Sequence, residues 1–99
     1  EQIRERILDL DSSVNEVIRK LYIAYKNTTN FVDIVPHKTE LSLILNIDFD
    51  QIEDPKEQCR DITDLGRWGN GNVEFRLSTI DDIEYAMFLI RQSFEKHAG

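Results

Sequence analysis

The chain has 99 residues, 40% of them hydrophobic and 31% charged, and a formal net charge of −7. That is one domain, residues 1–99, with enough apolar content for a single core and too much for a disordered chain. The acidic balance works against broad contact with a phosphate backbone, because the basic residues Arg4, Arg6, Arg19, Lys20, Lys26, Arg60 and Arg67 are scattered among acids.

A lone cysteine, Cys59, excludes an intramolecular disulfide and a cysteine-based zinc site, and points to a cytoplasmic setting. No apolar run is long enough to span a membrane, and no signal-peptide pattern opens the chain. The sequence starts at Glu1 within an apparent helix, as expected of the C-terminal part of a longer protein.

Ile3, Ile7 and Leu10 recur at helical spacing and predict an amphipathic helix over residues 2–10. Asp11-Ser12-Ser13 interrupts it. Ser13 followed by Glu16 has capping-box spacing, which predicts a second helix with Val14, Val17, Ile18 and Leu21 as its stripe. From Leu21 to Lys26 the pattern turns to strand, with Tyr22, Ile23 and Tyr25. A polar turn over residues 27–30 leads to a strand from Phe31 to Val35, and Pro36-His37-Lys38-Thr39 is the next turn.

Leu41, Leu43, Leu45, Ile47 and Phe49 occupy alternate positions, with Ser42, Asn46 and Asp48 opposite them. This predicts a strand with one face on the core and one toward water, Ile44 being the exception. Val73, Phe75 and Leu77 alternate in the same way. Ser78-Thr79 ahead of Asp81 and Asp82 starts a C-terminal helix over residues 80–96, whose face of Ile83, Met87, Ile90 and Phe94 covers the sheet. The expected fold is therefore α+β: an antiparallel sheet of about four strands, with two N-terminal helices and a C-terminal helix packed on it. Between Gln51 and Asn72 the only signals are a single turn at Asp54-Pro55 and a short edge strand at Asp61-Ile62-Thr63.

The segment Gly66-Arg67-Trp68-Gly69-Asn70-Gly71-Asn72 holds three of the four glycines and the single tryptophan. It reads in two ways: as a partner loop, with Trp68 a stacking surface, Arg67 an anion clamp and Asn70 beside them, or as a core plug with tight turns. It precedes a strand, unlike phosphate-binding glycine loops, which follow one. Tyr25 and Lys26 are an acid–base candidate or an aromatic strand ending in lysine. Asp33, between Val32 and Ile34, either faces solvent or pairs with Lys26 or Arg60. His37 lies in a polar turn and His97 near the end, neither with a second ligand at metal spacing. Arg60 beside Cys59 could lower the thiol's pKa, but no positioned base is evident. The acids from Asp48 to Glu57 lack calcium-loop spacing. No catalytic residue, metal set or cofactor is nominated.

Five stretches carry a family resemblance: 20–26 (KLYIAYK), 30–36 (NFVDIVP), 59–63 (CRDIT), 66–71 (GRWGNG) and 89–94 (LIRQSF). Together they resemble domain of unknown function 5655, over essentially the whole chain. Members often carry the label "predicted transport protein", and some are appended to restriction-endonuclease-like domains. The resemblance implies no catalytic residues. It marks Tyr25-Lys26, Phe31-Val32-Asp33 and Arg67-Trp68-Gly69-Asn70-Gly71 as recurrent positions.

The reading that follows is a non-enzymatic binding or interaction module. Its partner, a protein or the rest of its own parent chain, meets Arg67, Trp68 and Asn70 with Tyr25, Lys26, Asp33 and Arg60 as companions. Two alternatives stand beside it: a nucleic-acid-associated module of a restriction or repair protein, disfavoured by charge, and a small enzyme in which Tyr25, Lys26 and Asp33 converge. No membrane contact is expected, and homodimerisation along a sheet edge fits all three readings.

Overall fold

The computed structural model describes residues 2–27, 29–63 and 71–97. Helix α1 (Gln2–Leu8) is followed by strands β1 (Asn15–Ile18), β2 (Ile23–Lys26), β3 (Asn30–Pro36), β4 (Leu41–Leu45), β5 (Arg60–Asp61) and β6 (Val73–Leu77), and helix α2 (Ile83–His97) ends the chain. The strands form one antiparallel sheet in the order β1-β2-β3-β4-β6-β5. The α+β class and the covering C-terminal helix agree with the sequence. Among the described residues the strand count is six rather than about four, and there is one N-terminal helix rather than two.

The expected second helix is strand β1. Ser13 does not cap a helix: its amide and its hydroxyl both donate to Asp11 Oδ2, at 2.9 and 2.6 Å. Glu16 does not reach back to Ser13 either, but accepts from Arg4 and from the Tyr25 hydroxyl at 2.8 Å. Val17 and Ile18 are β-branched, and the open edge of β2 offers them a ladder that an isolated two-turn helix lacks.

Both helices lie on one face of the sheet. Ile3 and Ile7 of α1 and Ile83, Ala86, Met87, Leu89 and Ile90 of α2 share a core with Tyr25, Val32, Ile34, Leu43, Leu45, Val73 and Phe75. A bulge sharpens this packing. Tyr25 pairs with Val32 but Lys26 pairs with Asn30, so Phe31 is an extra residue and joins Val32 in the same core. The Phe31 ring stands edge-on to Phe94 at 5.2 Å. Ser93, buried in α2, donates at 2.7 Å to the Phe31 carbonyl, which also accepts from the Asn46 amide at 3.2 Å, so helix and sheet are joined at the bulge.

The strand expected over 41–49 ends at Leu45. Ile47 stays buried, whereas Phe49–Gln51 forms a short 3₁₀ turn. Nor does β4 turn a face to water: Ser42 and Ile44 are as buried as Leu43 and Leu45. At the other end, a 3₁₀ turn at Ile80–Asp82 precedes α2, and the Thr79 hydroxyl bonds the Asp82 carboxylate rather than a backbone amide.

The first half of the long connection runs along α2. Glu53 and Gln92 exchange two hydrogen bonds of 2.7 and 2.8 Å, and Lys96 Nζ donates to Gln51 at 2.8 Å. Asp54 organises the turn at Pro55, accepting from the Gln58 and Cys59 amides at 3.2 and 2.8 Å and from the Tyr85 hydroxyl. Burial pushes the Asp54 carboxyl up, but these three bonds outweigh it and hold the group below its ordinary value. A depressed carboxyl stabilises the fold above its unfolded pKa, and that contribution is lost as pH falls. Tyr85→Phe is therefore expected to cost about 1 kcal/mol at neutral pH and less in acid, read by denaturant unfolding at both.

Candidate functional site

The face of the sheet turned away from α1 and α2 carries polar groups that are nonetheless buried. Antiparallel register places Ala24 opposite Asp33, Asp33 opposite Ile44, Val35 opposite Ser42, Ser42 opposite Arg76 and Ile44 opposite Glu74. Val35, Ile44 and Ile62 form a second, smaller apolar cluster here, with Tyr22 against it.

Asp33 is the anomaly on this face. It is 0% exposed. Oδ1 accepts from Asn30 Nδ2 at 2.9 Å, while Oδ2 is buried with no hydrogen-bond partner among the described residues. Burial pushes its carboxyl pKa up, and the Asn30 bond offsets only part of that. Lys26 is not its partner, and Arg60 pairs with Glu74 instead. The expectations of solvent exposure or ion pairing for Asp33 are thus both corrected, because central strand β3 holds it between Ala24 and Ile44.

A polar chain runs alongside. His37 Nε2 lies 2.8 Å from Ser42 Oγ, which donates to Glu74 Oε2 at 2.8 Å. Arg60 Nε reaches Glu74 Oε1 at 3.4 Å, Arg76 Nε reaches Oε2 at 3.3 Å, and Arg76 also pairs with Glu40. With Ser42 and Glu74 buried and both arginine side chains at least 49% exposed, Glu74 leads polarity from the surface into the sheet. Glu74→Ala is expected to cost only about 1–2 kcal/mol, below the value for breaking a fully buried pair, because both guanidinium groups can rehydrate. Glu74→Gln, which keeps an acceptor for Ser42, should recover part of the loss in the same unfolding measurement.

The described end of the glycine-rich segment, Gly71-Asn72, is tied to this face. The Ile62 amide donates to the Asn72 carbonyl at 2.9 Å, and the Asn72 amide to the Leu45 carbonyl at 3.1 Å. Gly71 lies so close to β4 that a Cβ there would come within 2.5 Å of Ile44 Cγ2 and 2.9 Å of the Leu45 carbonyl oxygen. Arg67, Trp68, Gly69 and Asn70 lie outside the described residues.

Of the predicted companions, Asp33 and Arg60 come to the helix-free face and Tyr25 does not. Tyr25 is buried among the helix-side residues with its hydroxyl on Glu16, and Lys26 is exposed at the end of β2. Tyr25, Lys26 and Asp33 therefore do not converge, since consecutive strand residues alternate faces and Asp33 stands opposite Ala24, next to Tyr25. The Cys59 thiol is not activated by Arg60: burial, then Asp54, pushes it up to about 12. His97 is bonded to the Asn46 carbonyl at 2.8 Å. Among the described residues no three of His, Cys, Asp and Glu gather as a metal set. Nor is any helix among them long and apolar enough to cross a membrane.

Sequence reasoning missed His37, Ser42 and Glu74 as a connected group. The signal available was parity alone: Ser42 and Glu74 each sit on the face opposite the leucines and valines of their strands. A separate open groove of about 570 Å³ lies at one end of the sheet, between His37–Leu41, Leu77–Ile80 and the start of each helix.

A family model described as "Domain of unknown function (DUF5655)" matches residues 1–97. The chain belongs to this family. An uncharacterized protein of Haemophilus influenzae is 34% identical to the DUF5655 chain over 95 residues, which is 96% of this chain and 32% of that protein. The DUF5655 chain thus spans about a third of the length of the curated relative it matches. No solved structure matches it.

Proposed function

We propose that this DUF5655 domain is a non-enzymatic binding module that serves a longer protein, and that its contact surface is the helix-free face of the sheet. The observation that carries this reading is Asp33, a fully buried carboxyl with one oxygen unpartnered. An unmet buried acceptor costs the fold stability, and a partner whose docking opens this face and brings a donor to Oδ2 removes that cost. Support also comes from Gly71 and Asn72, which close the segment that holds Arg67, Trp68 and Asn70 and lie against Ile44 and Leu45 of β4. The separation of Tyr25 from Asp33 argues against acid–base catalysis by that pair.

The partner chemistry that suits Asp33 is a hydrogen-bond donor, ideally cationic, on a protein segment or on the remainder of the parent chain. Thermal unfolding with short arginine- or lysine-ended peptides tests this. The peptides should raise the midpoint of the wild-type chain and leave that of Asp33→Asn unmoved. Equal shifts in both would remove Asp33 from the site, and no shift at any concentration would count against the module reading. Duplex binding at low salt would instead favour the nucleic-acid alternative.

A further inference from the structure

A second surface lies at the opposite edge from β5. In the hairpin of β1 and β2, Ile18 is 74% exposed and Leu21 62% exposed, Arg19 and Lys20 are exposed between them, and Lys26 is exposed at the other end of the ladder, opposite Asn15. None of these three cations makes an ion pair among the described residues. From Val17 to Val32 the sequence contains no acid, although the chain as a whole carries −7. The hairpin is thus a local cationic and aliphatic patch on an acidic protein.

The backbone here is also open. Strand β1 is the last in the sheet and pairs only with β2. The Arg19 amide donates to the Tyr22 carbonyl at 2.8 Å, which makes 19 and 22 a hydrogen-bonded pair. Antiparallel pairs alternate between bonded and non-bonded, so Val17 with Ala24 is bonded as well, and Glu16 and Ile18 turn their N–H and C=O groups outward. An edge with free main-chain groups and an exposed aliphatic residue is a template for strand addition.

We infer that the outer edge of β1 receives an extended acidic segment of a partner protein, added as a further strand. Its apolar side chains alternate against Ile18 and its carboxylates meet Arg19, Lys20 and Lys26. Charge complementarity selects this occupant over a larger polyanion. Screening confines electrostatics to about 8–10 Å, so a single strand meets mainly the local positive patch. A duplex or an anionic membrane also faces the acids of a body about 30 Å across. This edge is distinct from the Asp33 face, and its test does not depend on that site.

The probe is a short peptide alternating glutamate and valine, titrated into the protein and followed by amide-resolved NMR, with a lysine–valine peptide as control. Shifts are expected to concentrate at residues 15–26, and the lysine version should not bind. Arg19→Glu with Lys20→Glu should weaken binding about tenfold or more, as reversal of contacting charges does. Ile18→Pro should abolish it while keeping the fold, because that N–H faces outward and is not used by the β1–β2 ladder. Binding that is unchanged in the charge-reversed variant overturns the inference. So does tighter binding of duplex DNA or phosphatidylserine vesicles than of the acidic peptide. Self-association of the protein through this edge, detected by sedimentation and abolished by Ile18→Pro, would overturn it in favour of a second copy as the occupant.

Discussion

Asp33→Val is expected to raise the stability of the free protein by about 1–3 kcal/mol, which is several degrees or more in thermal midpoint for a domain of this size. The residue lies in a fully buried position between Ala24 and Ile44, so valine replaces an unmet acceptor with apolar contact. Asn30 loses its acceptor, but it is only half-buried and can turn to water. The pH dependence has a definite sign. Burial raises the Asp33 carboxyl above 3.8, so its protonated form favours folding and its ionisation opposes it. The wild type therefore loses this contribution as pH rises from the unfolded value through the raised folded value, and the advantage of valine grows over that window and then levels off. Asp33→Asn, which cannot ionise, should show the same pH-dependent gain with little change of shape. Unfolding curves across acid to neutral pH read both variants. If Asp33→Val lowers the midpoint at neutral pH, the carboxyl is part of the framework rather than a group held in reserve for a partner.

Gly71→Ala is expected to destabilise the fold by about 1–3 kcal/mol, the range for forcing a methyl group into a packed site. The added Cβ would meet Ile44 Cγ2 at 2.5 Å and the Leu45 carbonyl oxygen at 2.9 Å, and the second of these is backbone. The chain cannot simply move aside, because the neighbouring Asn72 amide is bonded to that same carbonyl. Ile44→Val opens space at the first contact but not at the second. The double variant should therefore recover only part of the loss, measured by denaturant midpoint at constant slope. An additive double variant would show that Ile44 is not what the new methyl strikes.

The two substitutions probe the same face from different sides, and that face is where legibility in the sequence was poorest. The strands β4 and β6 and the covering helix were readable because their apolar residues repeat with the period of the element, and β3 because a β-branched and aromatic run lies between two polar turns. The segment around Ser13 and Glu16 was misread because a capping-box pattern says what a helix start would use, not whether a neighbouring strand offers more. Ser13 found Asp11, Glu16 found Arg4 and Tyr25, and the edge of β2 supplied the ladder. Asp33 could be singled out as odd from its apolar neighbours alone. That neither Lys26 nor Arg60 answers it could not, since pairing depends on which strands lie side by side.

Local patterning by itself determined the α+β class, the alternation of residues 41–47, the helix that covers the sheet, and the glycine-rich stretch as unusual, because period and backbone preference act over a few residues. Only the tertiary structure decided that the sheet has six strands, that Ser42 and Ile44 are buried as deeply as the leucines beside them, and that Asp33 is enclosed with an unmet oxygen. Those outcomes depend on contacts between residues far apart in the chain, and register across neighbouring strands sets them.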